Sequence, residues 1–130
     1  MAHQNSGYDL VITGGRVIDP ETGLDAVRNV GIKGDKIAAV TEKEIQGKET
    51  IDAKGHVVAP GFIDMHFHNV GIPFGEKLAL RDGVTTPMEL EGGVYPVDEW
   101  YGSLEGKCRA NYGASIGIVP IREHIFNPGY

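Results

Sequence analysis

The chain has 130 residues, 41% hydrophobic and 23% charged, which suits a soluble globular protein of roughly one domain's length. Its net charge of −6 argues against nucleic acid or an anionic membrane as partner, because both select for Lys/Arg patches. No apolar run approaches the ~20 residues of a membrane span, and the polar opening MAHQNSG lacks the apolar core of a signal peptide. Residues 1–7 read as a tag remnant or a disordered lead-in. The single cysteine, Cys108, cannot form an internal disulfide, which points to a reducing cytoplasm.

Residues 8–60 read as a series of short β segments. YDLVIT and RVID flank Gly14-Gly15, which predicts a hairpin connection. DPETG, 19–23, is a turn, with Pro20 presetting φ and Gly23 permitting a positive one. NVGIK alternates Val30 and Ile32 on one face, and GDK turns it into IAAV. ETIDA follows a polar stretch, and KGH then turns into VVAP. Short strands at this density predict an antiparallel sheet or half of a sandwich.

The pattern changes at Pro60-Gly61. FIDMHFH, 62–68, predicts a strand, and a glycine-containing loop follows it. EKLALRDG, 76–83, predicts a short helix stopped by Gly83. VTTPMEL, 84–90, predicts a second strand in which Pro87 calls for a bulge or an irregular end. Asp98 can cap a helix reaching about Tyr112, with Trp100, Leu104, Cys108 and Tyr112 as a buried stripe. Gly113 ends it, and ASIGIVP, 114–120, predicts a third strand. Strand, helix, strand, helix, strand is the rhythm of βα units with a parallel sheet.

Within GFIDMHFH the alternation of a strand puts Asp64, His66 and His68 on one face, and Ile63, Met65 and Phe67 on the other. The two imidazoles start about 6.5–7 Å apart along the strand. Their rings can converge on one metal ion at about 2.0–2.1 Å per bond. Two histidines each satisfied by a carbonyl fit a bare HxH equally well, so the surrounding sequence decides.

DLVITGGRVIDPETG, VGIKGDKIAAV, IDAKGHVVAPGFIDMHFH and then GVTT resemble, in that order, the opening of amidohydrolase-superfamily enzymes, which include dihydroorotase, hydantoinase and D-aminoacylase. The resemblance covers residues 8 to about 90 closely and the rest loosely. It implies a mixed fold: a β-sandwich part of the composite, urease-like kind over 8–60, then the first three strands of an incomplete metal-dependent (β/α)8 TIM barrel over 61–130. It implies His66 and His68 as metal ligands and Zn2+ as the ion, one or two per site. The implied reaction is hydrolysis of non-peptide C–N bonds in small linear or cyclic amides, such as N-acyl-D-amino acids, by metal-activated hydroxide. The implied partner is a small-molecule amide substrate, with no nucleic acid and no membrane, in a homo-oligomer. A barrel protein that kept the fold and lost catalysis, acting as a scaffold or oligomer subunit, is the alternative; an intact HxH speaks against it.

The family's remaining ligands, a carboxylated lysine, glutamate or cysteine, two later histidines and an aspartate, are not found in this chain. The chain alone is therefore expected to be inactive. In the D-aminoacylase-like branch a cysteine after GVTT can be a ligand. Here PMELEGG puts Gly92 near that place, leaving Glu91, Glu89 or a later strand to supply it. Asp64 is a candidate to orient an imidazole. His56 reads as a surface turn residue, His124 as a loop histidine with a weaker claim on substrate, and Arg122 with Glu123 as a solvated ion pair. Cys108, Trp100 and Tyr101 read as helix packing.

Overall fold

The computed structural model describes residues 7–127 and 129, so the lead-in expected over 1–7 lies outside them except for Gly7. The chain divides into two compact units, one ending at Pro60 and one starting at Gly61.

The first unit is built on one long strand, β1 (Tyr8–Asp19). It pairs antiparallel with β2 (Leu24–Lys33), which in turn pairs antiparallel with β3 (Lys36–Thr41). On its other edge β1 pairs parallel with β4 (Gly47–Asp52) and β5 (Val57–Val58). The expected antiparallel sheet is thus a mixed, five-stranded one. The turn between β1 and β2 falls on 20–23, where Gly23 takes φ +72° and Asp19 accepts from the Thr22 hydroxyl and the Glu21 N–H.

Gly14-Gly15 makes no hairpin. The chain runs straight through as a bulge, with the β2 register shifting between Ile12 and Gly15. Gly14 sits at φ +68° and donates its N–H to Asn29 Oδ1 at 2.9 Å. The partner edge matches this break: β4 pairs with residues up to Thr13, the chain turns at 53–56, and β5 resumes at Arg16. A Cβ on Gly15 would lie 2.5 Å from Val58 Cγ2, so the two edges close only over glycine. Val11, Val17, Val30 and Ala53 form the buried apolar centre of this unit.

The second unit is a three-stranded parallel sheet, β6 (Phe62–Asp64), β7 (Val84–Val94) and β8 (Gly113–Ile116), in that spatial order. Helix α1 (Pro73–Arg81) joins β6 to β7, and α2 (Val97–Leu104) joins β7 to β8. Helix α3 (Ile118–Phe126) follows. Pro73 opens α1, where a missing N–H costs nothing.

Four expectations change here. The strand expected over 62–68 stops at Asp64, and the residues after it keep only a bridge from His66 to Glu89 and the Phe67 N–H to the Met88 carbonyl at 3.1 Å. The irregularity expected around Pro87 is present, the β6–β7 register shifting between Phe62 and Ile63 with Pro87 fully buried opposite Asp64, but β7 does not end at Leu90 and runs on to Val94. The helix expected to reach Tyr112 ends at Leu104, because Gly106 takes φ +69° in the turn that follows. Tyr112 still meets the helix, its ring 5.8 Å from those of Trp100 and Tyr101, but from the following segment. The third strand ends at Ile116, and residues 118–120 begin α3, with Pro120 in the first turn, where its ring is tolerated.

No helix among the described residues is long and apolar enough to cross a membrane.

Candidate metal centre

His66 and His68 lie just past the C-terminal end of β6, and Glu89 and Glu91 lie on β7, its parallel neighbour. Alternation along β7 sends Glu89 and Glu91 to one face and Leu90 to the other. The His66–Glu89 bridge then holds the two segments in register. An H-x-H on one strand end faces an E-x-E on the next.

The side chains converge. His66 Nε2 and His68 Nε2 lie 3.0 Å apart, with the rings edge to face. Glu91 Oε2 lies 3.9 Å from the first nitrogen and 3.6 Å from the second. His66, His68 and Glu91 are the one group of metal-capable donors found among the described residues. Two nitrogen lone pairs at 3.0 Å repel unless a proton or a cation stands between them, so this donor set suits a cation. Nitrogen and carboxylate oxygen together are ordinary zinc donors. Each of the three side chains is more than half exposed.

Glu89 differs. Its side chain is 11% exposed, and its Oε1 lies 3.0 Å from His68 Nδ1, on the side of the ring away from the other donors. Gly92 leaves room for this contact, since a Cβ there would press to 3.2 Å on Glu89 Oε1.

Asp64 does not orient an imidazole. Its Oδ1 accepts the backbone N–H of His66 at 3.0 Å, which helps turn the chain off the strand. His56 belongs to the first unit, where its Nδ1 is 3.2 Å from the Lys54 carbonyl of its own turn. His124 is on α3 rather than in a loop or at a strand end, with its ring 5.1 Å from that of Tyr95. Arg122 and Glu123 form no ion pair with one another, as consecutive helix positions point in different directions. Cys108 sits outside any helix; burial, and then the neighbouring Glu76, push its thiol up to about 11. Glu76 is itself buried on α1 and accepts the Arg109 N–H at 3.4 Å.

The sequence names Glu89 only as an alternative ligand; what it misses is that this glutamate is buried and sits behind His68, on the Nδ1 side of the ring. Its signal is the shared spacing of HFH and ELE, which becomes meaningful only once the two strands are known to be parallel neighbours.

A profile of the amidohydrolase family matches residues 49–107. A dihydroorotase of Wolbachia sp. subsp. Drosophila simulans (strain wRi) is 40% identical over 94 residues, 64% of this chain and 21% of that protein. An allantoinase of Enterococcus faecalis is 34% identical over 130 residues, 86% of this chain and 28% of that protein. The chain thus spans less than a third of the length of either. Among solved structures, a D-aminoacylase superposes with a TM-score of 0.73 at 26% identity, over 88% of this chain and 31% of that one. An N-acyl-D-glutamate deacylase from Bordetella bronchiseptica, complexed with zinc and a phosphonate inhibitor, gives a TM-score of 0.73 at 24% identity, covering 88% and 30%.

Proposed function

Since this chain belongs to the amidohydrolase superfamily, we propose that it supplies the opening strands and a pair of metal ligands, His66 and His68, to a hydrolase of non-peptide C–N bonds in small linear or cyclic amides. The observation that carries this reading is the convergence of His66 Nε2 and His68 Nε2 to 3.0 Å at the end of β6. The parallel β6–α1–β7–α2–β8 order supports β6 as the first strand of a (β/α)8 barrel, the fold in which catalytic groups gather at the C-terminal strand ends. The mixed sheet of residues 8–60 would belong to an accompanying β-sandwich.

Zinc is the ion this donor set favours; when bound it supplies a water of pKa about 7 and polarises the scissile carbonyl. The chain's own residues do the holding. The backbone bridge from His66 to β7 and the Asp64 contact fix where His66 leaves the strand. His68 is held from behind by Glu89, so both nitrogens face the same point. In the overall reaction water adds to the carbonyl carbon, the C–N bond breaks, and the nitrogen leaves with a proton. A small-molecule amide is the partner, in a homo-oligomer.

The test is hydrolysis of N-acyl-D-amino acids, dihydroorotate and hydantoins by the protein carrying this segment, before and after chelation. Turnover that is lost on chelation and regained with zinc is expected. Activity untouched by chelation would remove the metal from the reading.

A further inference from the structure

We infer that the two glutamates of β7 play complementary parts at one metal: Glu91 is its third protein ligand, and Glu89 is a positioning residue that sets the tautomer of His68. This rests on the metal reading above and adds to it the residues that complete the set.

The three separations among His66 Nε2, His68 Nε2 and Glu91 Oε2 are 3.0, 3.6 and 3.9 Å. A triangle with those sides has one point equidistant from its corners, about 2.1 Å from each, which is a zinc bond length to nitrogen or carboxylate oxygen. The glutamate therefore already stands where a ligand would, without a change of rotamer. Glu91 is exposed, with no other ion pair among the described residues, so nothing else in the structure accounts for its placement.

Glu89 cannot exchange roles with it. Its carboxylate is buried, and its Oε1 is engaged on the Nδ1 side of His68. A carboxylate accepts only, so His68 must carry its proton on Nδ1. That leaves the lone pair on Nε2, the nitrogen that faces His66 and Glu91. Gly92 preserves the contact by leaving out the Cβ that would crowd Glu89 Oε1. Two residues apart on one strand, the carboxylates thus reach opposite ends of the same imidazole.

The experiment measures zinc affinity of the purified protein by competition with a chromophoric chelator, cobalt(II) absorption as a report on the ligand set, and the His68 tautomer by nitrogen-resolved NMR. Circular dichroism checks that each variant folds. Glu91→Gln should weaken zinc by more than the 10–100-fold typical of an outer partner and alter the cobalt spectrum. Glu89→Gln keeps an accepting oxygen and should cost about 10-fold, while Glu89→Leu should cost more and release the tautomer. Unchanged affinity and spectrum in Glu91→Gln would overturn its role as ligand while leaving the histidine pair intact. An unchanged His68 tautomer and affinity in Glu89→Leu would overturn the positioning role. A folded wild-type protein that binds neither ion would overturn the metal reading itself, and this inference with it.

Discussion

His66 and His68 are both more than half exposed, so alanine at either position leaves no cavity behind. A loss seen in those variants therefore reports on what the rings hold. His66→Ala and His68→Ala should each reduce bound zinc to near zero and abolish amide hydrolysis with secondary structure unchanged, as elemental analysis, rate assays and circular dichroism would show. His56→Ala, which removes only a ring in contact with its own turn, should change neither. Retention of full metal and rate in either of the first two variants would make those histidines structural.

Cys108 supports a prediction about pH. A thiol with its pKa near 11 rather than 9.0 holds about a hundredfold less thiolate at pH 8, partly offset by the stronger nucleophilicity of a more basic thiolate. Alkylation by iodoacetamide at pH 8 should be slower than in the unfolded chain by about tenfold. The folded state keeps its proton after the unfolded state has lost it, so what this thiol contributes to stability is fully present below about pH 9 and is lost as pH rises from 9 toward 11. Equal alkylation rates in native and denatured protein would contradict that.

At this scale the histidine pair is legible from its H-x-H spacing and the sequence around it, although the strand expected to carry both rings stops at Asp64 and the rings meet just beyond it. The tie between His68 and Glu89 is not, because it depends on the register of two strands separated by a helix.

Among the elements, the pairing of β7 with β8 is irregular between Glu89 and Val94, where the chain passes the start of α3. Gly93 takes φ +66°, and a Cβ on it would lie 2.6 Å from the backbone of Gly117, which donates its N–H to the Val94 carbonyl at 3.1 Å. Gly106 has a similar φ of +69°, with open space around it. The pair separates backbone strain from crowding. Gly106→Ala should cost about 1 kcal/mol, and Gly93→Ala about 2–3 kcal/mol because contact adds to strain. Thermal melts of the two variants check this; equal shifts would mean that the close approach of β7 and Gly117 carries no energy.

Short-range chemistry made the Asp19–Gly23 turn, the Pro73–Arg81 helix region and the βα rhythm readable. Long-range pairing decided the rest. Gly14-Gly15 is a bulge because β4 and β5 occupy successive parts of the far edge of β1, and nothing within YDLVITGGRVID reports on that edge. The Trp100-to-Tyr112 stripe has helical spacing, yet its last members pack from a loop, since rings can meet without a shared helix.

Over the whole molecule, the second unit presents large apolar side chains to solvent: Phe62, Ile63, Met65, Ile116, Ile118 and Phe126 are each 61–77% exposed. Strands β6 and β8 each pair only with β7 among the described residues. Open parallel edges beside exposed apolar surface favour association. Light scattering of the purified chain should give a mass above that of one copy, rising with concentration; a concentration-independent single-copy mass would count against this. Zinc should also raise the melting temperature, by an amount equivalent to about 2.7 kcal/mol at a hundredfold excess over its Kd, and His66→Ala should erase the shift.

The donors His66 and Glu91 lie on either side of α1 in the sequence. An ion bridging them would close a covalent-plus-coordinate ring that contains the whole helix, in the manner of a disulfide across a loop. Opening α1 would then require either breaking that ring or unfolding inside it. The amides of α1, a helix that carries none of the three donors itself, would exchange with solvent at a rate set by zinc occupancy. The same few side chains would thus also serve as the clasp that keeps β6, α1 and β7 together.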